Sequence, residues 1–138
     1  MPVTLHCKLP LSTEEVSTLW LAVIRDQSKE DSEVAVSCAS KEEIKQLNMK
    51  YRGKDKATNV LTFSYDEQHH DIAICLSVAQ SESKAREMTD RDYVALLLVH
   101  AFLHATGLDH EVSSDAQVAM EQAEKNVLTE CGFSAASL

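Results

Sequence analysis

The sequence YVALLLVHAFLHATGLDH, residues 93–110, determines the element around which the rest of the chain is arranged. Residues 93–104 form an almost unbroken apolar run, so a helix over them is buried on nearly every side. Thr89 is a favourable N-cap residue for this helix. Gly107 is suited to end it, because glycine adopts the left-handed conformation without steric cost. The stretch therefore predicts a buried helix that begins after Thr89 and ends near Gly107.

The same stretch carries three histidines, His100, His104 and His110, in the spacing H-x3-H-x5-H. Four residues advance a helix by ~6 Å and ~400°, so His100 and His104 lie one turn apart on one face. A chain reversal at Gly107 can bring His110 back toward them. Imidazoles on an apolar helix need partners for their nitrogens, and three of them suit one Zn²⁺ ion with a fourth tetrahedral position open to water. We predict a catalytic zinc site there and ordinary roles for His6, His69 and His70, which lie far off in sequence.

Bulk composition predicts a soluble, cytoplasmic protein of one domain, residues 1–138. The hydrophobic content is 44%, enough for a core. The N-terminal residues lack the pattern of a signal peptide, and the apolar run is shorter than the ~20 residues that span a bilayer. The four cysteines, Cys7, Cys38, Cys75 and Cys131, contain no C-x-x-C pair, and we expect them to be free, buried thiols in a reducing compartment.

Charge is distributed unevenly along the chain. The formal net charge is -9, which by itself opposes nucleic-acid binding. Residues 41–56, however, contain six basic and three acidic side chains, a net +3, so the remainder carries -12. This segment, which includes Lys50, Arg52 and Lys54, is either an ordinary solvated helix face or a surface that contacts a phosphate backbone.

Periodicity and capping signals predict the element order β-α-β-α-β-β-α-α-α. Strands are expected over residues 3–8, 33–39, 59–65 and 71–76, where apolar or β-branched residues dominate. Helices are expected after the capping boxes at Ser12 and Ser40, over residues 78–87, after Thr89, and from Ser114 with Gln117 at its capping-box position. Strands early and helices late favour an α+β fold with a small mixed sheet, of four strands, and about five helices.

The residues around the histidines favour phosphodiester chemistry over amide chemistry. The spacing H-x-x-x-H-x-x-G-x-x-H is that of the metzincin peptidases, which place a glutamate general base directly after the first histidine. Ala101 stands there instead, and general acid–base help is worth ~10²–10⁴ in rate. Phosphodiester cleavage needs charge neutralisation on the phosphoryl oxygens, which a metal and an arginine provide. Arg52 is our candidate for the catalytic arginine.

Two motifs resemble the signatures of the YbeY family. LNMKYRGKDKATNVLTF, residues 47–63, is similar to LNxxYRxxDxPTDVLSF, and residues 100–110 are similar to HGxLHLxGYDH. The resemblance covers residue 30 onward, and the motifs keep their order. Departures include Ala101 for glycine, Ala57 for proline and Asn59 for aspartate, which puts any role of that aspartate in doubt.

This resemblance implies a zincin-like α+β fold and a single-strand-preferring, metal-dependent endoribonuclease. It also implies work on ribosomal RNA and ribosomal particles, in 3′-end maturation of small-subunit RNA and in ribosome quality control. His100, His104 and His110 correspond to the zinc ligands, and Arg52 to the functionally important arginine. Lys50 and Lys54 are candidate phosphate contacts, and Asp109 is either a hydrogen-bond partner of a metal-bound imidazole or a cap of the turn after Gly107.

Two alternatives remain open at this point. One is a zincin-type metallopeptidase or other metal-dependent hydrolase, against which Ala101 argues. The other is a non-catalytic, zinc-stabilised module that binds the ribosome, in which a cysteine such as Cys131 completes the coordination shell. The sequence leaves the oligomeric state and the attacking oxygen, either the RNA 2′-hydroxyl or a metal-bound hydroxide, undetermined.

Overall fold

A computed structural model describes residues 2–108 and 113–135 of the chain. Over these residues the element order is the predicted one. The elements, in chain order, are β1 (Val3–Leu5), α1 (Thr13–Asp26), β2 (Glu33–Cys38), α2 (Lys41–Arg52), β3 (Val60–Asp66), β4 (His69–Ile74), α3 (Leu76–Ala85), α4 (Asp90–Ala105) and α5 (Ser114–Glu130).

The four strands form one mixed sheet in the order β1-β2-β4-β3. β1, β2 and β4 are parallel, and β3 runs antiparallel to β4 along the edge of the sheet. A register shift between Ser64 and Asp66 marks an irregularity near the end of β3. The prediction of an α+β fold with a mixed four-stranded sheet and about five helices is therefore confirmed. The strand order was not predicted from the sequence.

Side-chain caps fix where the predicted helices begin. Ser12 and Ser40 each accept a hydrogen bond from the backbone N–H three residues on, and Glu15 and Glu43 return the bond, so both capping boxes are present. Thr89 caps α4 as predicted. The last helix begins at Ser114 as predicted, but Ser113 is its N-cap and bonds to the N–H of Ala116, so Gln117 is not at the capping-box position.

Two elements begin about two residues earlier than predicted, and β1, β4 and α3 end two or three residues earlier. β4 begins at His69, because His70 is buried and extends the strand despite its polar side chain. α3 begins at Leu76 rather than 78, since its N-cap residue is Cys75, which makes no side-chain cap and gives no sequence signal.

The sheet separates two hydrophobic clusters of unequal size. The larger one surrounds α4, of which ten residues are buried, and it includes Trp20 packed edge-on against Phe102 with ring centroids 5.1 Å apart. The smaller one joins Ile44 of α2 to Leu61 of β3. Because alternate strand residues point to opposite faces, Val60 packs in the large cluster and Leu61 in the small one.

The cysteine prediction is wrong for two of the four residues. Cys7 and Cys38 form a disulfide with Cα atoms 5.8 Å apart, which joins the segment after β1 to the end of β2. The parallel pairing of β1 with β2 brings together two residues that lie 31 apart in sequence, a proximity that no local motif reveals. Cys75 is a free, buried thiol as expected, and Cys131 is free and half-buried, with its pKa raised by burial.

None of the helices within the described residues is both long enough and apolar enough to cross a membrane.

Candidate active site

His100 and His104 stand one turn apart on the last two turns of α4, as the sequence predicted. Their rings are nearly perpendicular, at 80°, with centroids 4.6 Å apart. The two Nε2 atoms face each other at 3.1 Å. In a tetrahedral site with Zn–N bonds of about 2.0–2.1 Å, neighbouring ligand nitrogens lie about 3.3–3.4 Å apart. The pair is therefore arranged as two imidazole ligands of one zinc ion would be.

Glu124 holds His100 in this orientation. The Nδ1 atom of His100 lies 2.8 Å from Oε1 of Glu124, a residue of α5 that is only 6% exposed. A carboxylate only accepts hydrogen bonds, so the tautomer that satisfies this contact has its proton on Nδ1 and leaves the lone pair of Nε2 for a ligand bond. Metal-binding histidines commonly have such a carboxylate partner. The arrangement suits metal binding by His100.

Sequence reasoning missed Glu124, although a signal was present. Met120, Ala123 and Val127 recur along the buried face of α5, and Glu124 falls within that face. A carboxylate in an apolar stripe needs a charged or hydrogen-bonding partner, because a buried charge without one is very unfavourable. That requirement, applied to the last helix, points toward the histidines.

An open cleft of about 590 Å³ brings Arg52 together with the two histidines. Arg52 is the last residue of α2 and is exposed, and Gly53, with φ of 68°, ends the helix directly after it. Thr62 lines the same cleft, and its hydroxyl donates a 3.2 Å hydrogen bond to the carbonyl oxygen of Ala101. Ala101 itself is fully buried and lines the cleft floor. The cleft therefore combines paired imidazoles with a guanidinium.

The two lysines predicted to contact phosphate lie beside Arg52 on the surface. Lys50 is exposed, with Nζ 5.1 Å from the centroid of the Tyr51 ring. Lys54 follows Gly53 and is also exposed, and its backbone N–H donates to the carbonyl of Asn48. Asn48 also donates from its side chain to the carbonyl of Lys56 at 2.9 Å, which ties the basic loop to α2.

Asn59 has a hydrogen-bonding role that its amide, and not a carboxylate, can fulfil. Its Nδ2 donates to Oε1 of Glu82 at 2.9 Å, and the hydroxyl of Tyr93 donates to the same oxygen. Burial, and then the bond to Glu82, raises the pKa of Tyr93. An aspartate at position 59 would place its carboxylate against that of Glu82. The asparagine found in place of the family's aspartate therefore suits the contact with Glu82.

His110 and Asp109, predicted as the third ligand and as a neighbouring partner, lie outside the described residues. Within residues 2–108 and 113–135 no group of three or more His, Cys, Asp or Glu side chains is placed to hold a metal ion. Cys131 therefore does not join His100 and His104 in a common shell, which removes the one protein ligand suggested for a closed structural site.

The remaining histidines are not among the residues that line this cleft. His6 is exposed. His69 is exposed and interacts with Asp66 and Glu33. His70 is buried, with Nδ1 2.7 Å from the Ser64 hydroxyl and its ring 5.9 Å from that of Trp20. Their contacts are those of ordinary surface and core residues.

Comparison with known proteins identifies the family. A family model described as Endoribonuclease YbeY matches residues 6–132. The chain belongs to the YbeY family. The Delftia acidovorans protein named Endoribonuclease YbeY is 41% identical over 113 residues, covering 80% of this chain and 74% of that protein. The protein of that name from Albidiferax ferrireducens is 42% identical over 113 residues, covering 80% and 76%. The resemblance seen in the two motifs is confirmed.

The fold is also shared with a solved structure. The solution structure of the Thermotoga maritima protein TM1509 superposes with a TM-score of 0.59 at 25% identity, covering 93% of this chain and 90% of that one. The shared topology is that of the zincin-like YbeY fold. In this YbeY family member the two histidines, Glu124 and Arg52 thus lie on a scaffold that distant sequences also form.

Proposed function

We propose that the chain is a single-strand-preferring, zinc-dependent endoribonuclease. The observation that carries the proposal is that the facing Nε2 atoms of His100 and His104 lie in the same open cleft as Arg52. Family membership supports RNA as the substrate, because the relatives are named endoribonucleases. The function is carried by one domain.

In this proposal His100, His104 and His110 hold one zinc ion, and Glu124 keeps the His100 ring in place. When bound, the ion supplies a Lewis acid for a phosphoryl oxygen and lowers the pKa of water. Asp109, adjacent to His110 in the chain, is proposed as a partner for an imidazole N–H. The rings of His100 and His104 need no rearrangement to accept a shared cation, since their nitrogens already face each other.

Arg52 is proposed to bind the non-bridging oxygens of the scissile phosphate. A guanidinium donates two parallel hydrogen bonds to a phosphate and keeps its charge at every physiological pH. Charge develops on those oxygens during cleavage, so a positioned donor stabilises the transition state more than the ground state. Ala101 supports a phosphodiester over a peptide, because alanine cannot transfer a proton to a leaving amine.

The substrate is proposed to be ribosomal RNA, free or in ribosomal particles, with 3′-end maturation of small-subunit RNA and ribosome quality control as its tasks. Lys50 and Lys54 are proposed to bind the backbone on either side of Arg52. If they do, RNA affinity falls steeply with salt, because each neutralised phosphate releases counterions.

The central test combines metal content with cleavage of single-stranded RNA. His104→Ala should lose both zinc and activity, because one of the ligands is gone. Arg52→Glu should retain zinc and lose ~10²-fold or more in turnover, because only transition-state stabilisation is removed. Zinc-loaded wild type without activity on single-stranded RNA, or full activity in either variant, would refute the assignment.

Matched controls show whether these effects are specific to His104 and Arg52 or follow the loss of any histidine or any basic side chain. His6→Ala removes an exposed histidine remote from the cleft and should keep zinc and rate. Lys41→Glu reverses a charge at the opposite end of α2 from Arg52 and should change turnover little. All variants are purified identically, so that contaminating host nuclease gives equal background. Product ends then identify the attacking oxygen, since 2′,3′-cyclic phosphates indicate the RNA 2′-hydroxyl.

We propose a cytoplasmic location, where ribosomal RNA is processed. The redox state of Cys7 and Cys38, which form a disulfide in this structure, bears on that location, because thiols in that compartment are kept reduced. Alkylation in freshly lysed cells measures this state, and a predominantly oxidised pair would contradict the location.

A further inference from the structure

An aromatic strip lies beside the cleft on the outer edge of the sheet. The chain has seven aromatic residues, Trp20, Tyr51, Phe63, Tyr65, Tyr93, Phe102 and Phe133. Four of them are buried in the large cluster. The other three, Tyr51, Phe63 and Tyr65, come together at one edge, and we call them the aromatic strip. Tyr51 is 57% exposed and Tyr65 is 71% exposed, so neither ring is part of the packed core.

Two elements bring the strip together. Tyr51 lies in the last turn of α2, and its ring centroid lies 4.8 Å from that of Phe63. Phe63 pairs with Asp71 in the β3–β4 register, and the Tyr65 hydroxyl donates to the Asp71 carboxylate, so Phe63 and Tyr65 share one face of the sheet. Tyr65 is held by a 2.6 Å hydrogen bond from its hydroxyl to Asp71, which raises its pKa. Phe63 and Asp71 thus hold the two tyrosines, whose side chains remain largely exposed to solvent.

The strip is continuous with the catalytic cleft. Tyr51 directly precedes Arg52, which lines the cleft. Phe63 alternates along β3 with Thr62 and Ser64, which line the cleft from the opposite face of the strand. β3 is the edge strand of the sheet, so a chain passing around that edge contacts both faces. A ligand bound at the histidines would therefore reach the aromatic rings within a short length.

Cations accompany the rings. Lys50 lies over the Tyr51 ring, and Arg52, Lys54 and Lys56 follow in the next five residues. Residues 41–56 carry a net +3 on a chain of formal charge -9, so positive charge is concentrated in the segment that contains Tyr51. Adjacent π-faces and cations match a polymer of planar bases and phosphates, and single-stranded nucleic acids are bound in this way.

We propose that the aromatic strip is a base-stacking platform, with Tyr51 and Tyr65 stacking unpaired bases of single-stranded RNA that flank the phosphate bound at Arg52. The proposal rests on the proposed function and names how that site selects single strands. Bases in a duplex are stacked on each other and cannot present their faces to Tyr51 and Tyr65. The strip therefore gives a physical reason for a single-strand preference that the histidine site alone does not provide.

The test measures binding of a short single-stranded 2′-O-methyl oligoadenylate by fluorescence anisotropy, checked to be intact afterwards. Tyr51→Ala and Tyr65→Ala should each raise Kd by about 5- to 100-fold, the range found when one base-stacking ring is removed. Tyr51→Phe should bind like the wild type, because it keeps the π-face. KM for RNA cleavage should rise with Kd while kcat changes little.

Two controls make the assignment specific to bases. Met49→Ala removes a large apolar side chain that is 52% exposed on the same helix and should leave Kd unchanged. An abasic oligonucleotide of equal length should bind wild type and Tyr51→Ala equally, because no base is present to stack. An equal loss on the abasic probe, or unchanged Kd in both alanine variants, overturns the platform.

The remaining outcomes distinguish failure of the proposed function from failure of the stacking platform. If wild type neither binds nor cleaves single-stranded RNA, the proposed function fails and the platform with it. If wild type cleaves RNA and the alanine variants match it, only the platform fails. If the alanine variants instead convert a dimer to monomers in sedimentation, with RNA binding unchanged, the strip is an interface between copies and the proposal is wrong.

Discussion

The helix that carries the histidines and the helix that ends in the arginine pack very differently against the sheet. α4 has ten buried residues among its 16, whereas α2 buries only Ile44 and Asn48 among its 12. Metal ligands must be held to within about 0.5 Å, which close packing provides. A phosphate-binding arginine on an exposed helix end can adjust to its substrate. In the proposed function, each chemical group therefore lies on the element whose packing suits its task.

Truncating one core residue in each hydrophobic cluster tests this difference in packing most directly. Phe102→Ala, in the large cluster, should lower the free energy of unfolding by about 3–5 kcal/mol, because a fully buried ring leaves a cavity. Leu47→Ala, half-buried in the small cluster, should cost less than about 2 kcal/mol. Urea unfolding followed by circular dichroism gives both values.

The two truncations should also differ in zinc binding. Phe102 lies between the two histidines in the α4 sequence, so its loss should loosen them and weaken zinc retention even where the protein remains folded. Leu47→Ala should leave zinc content unchanged. Equal losses of stability in the two variants would show that the clusters do not differ in the way their burial indicates.

The second prediction concerns the carboxylate that links α5 to the histidine helix. Glu124→Ala should weaken zinc affinity by about 10- to 100-fold, because His100 loses the partner that fixes its ring and its proton. Glu124→Gln, which keeps the shape and an acceptor oxygen, should lose less. Competition with a coloured chelator measures the affinity.

Glu121→Ala is the matched control for this prediction. Glu121 lies on the same helix one turn earlier, is exposed, and accepts a hydrogen bond from Gln117 rather than from a histidine. It should bind zinc as the wild type does. The same affinity in the Glu121 and Glu124 variants would mean that the buried carboxylate does not orient His100.

The sequence was sufficient for the parts of the molecule that local rules determine. Capping boxes at Ser12 and Ser40, the apolar run of α4 and the i,i+4 spacing of His100 and His104 are all local, and the structure has them as predicted. The family motifs added the zincin-like topology, which no periodicity conveys.

Other features depend on contacts between distant residues, so local sequence rules do not place them. The bond of Glu124 to His100 spans 24 residues, and the disulfide of Cys7 with Cys38 requires the pairing of β1 with β2. The aromatic strip likewise exists only because the end of α2 lies against the edge strand. Such features follow from strand order and helix packing, which are set by the whole chain.

The last and smallest effect contrasts two neighbouring histidines on opposite sides of β4. Burial lowers the pKa of His70, with Asp66 opposing and His69 reinforcing that shift, so folded His70 resists protonation. The unfolded chain then binds more protons near and below pH 6.5, and the stability that neutral His70 contributes is lost as pH falls below that value. His69 is exposed and hydrogen-bonded to Asp66, which raises its pKa. Its contribution has the opposite sign, present below about pH 6.5 and lost as pH rises through its folded pKa.

Urea unfolding between pH 5 and 8 tests the contrast. As pH falls, the wild type should lose stability relative to His70→Gln, because its folded state holds a buried ring that resists protonation while its unfolded state does not. The difference between wild type and His69→Gln should shift in favour of the wild type over the same range. Contributions from groups that do not interact with these histidines cancel in these differences, so parallel curves for the two variants would show that the buried and exposed sides of β4 do not titrate differently.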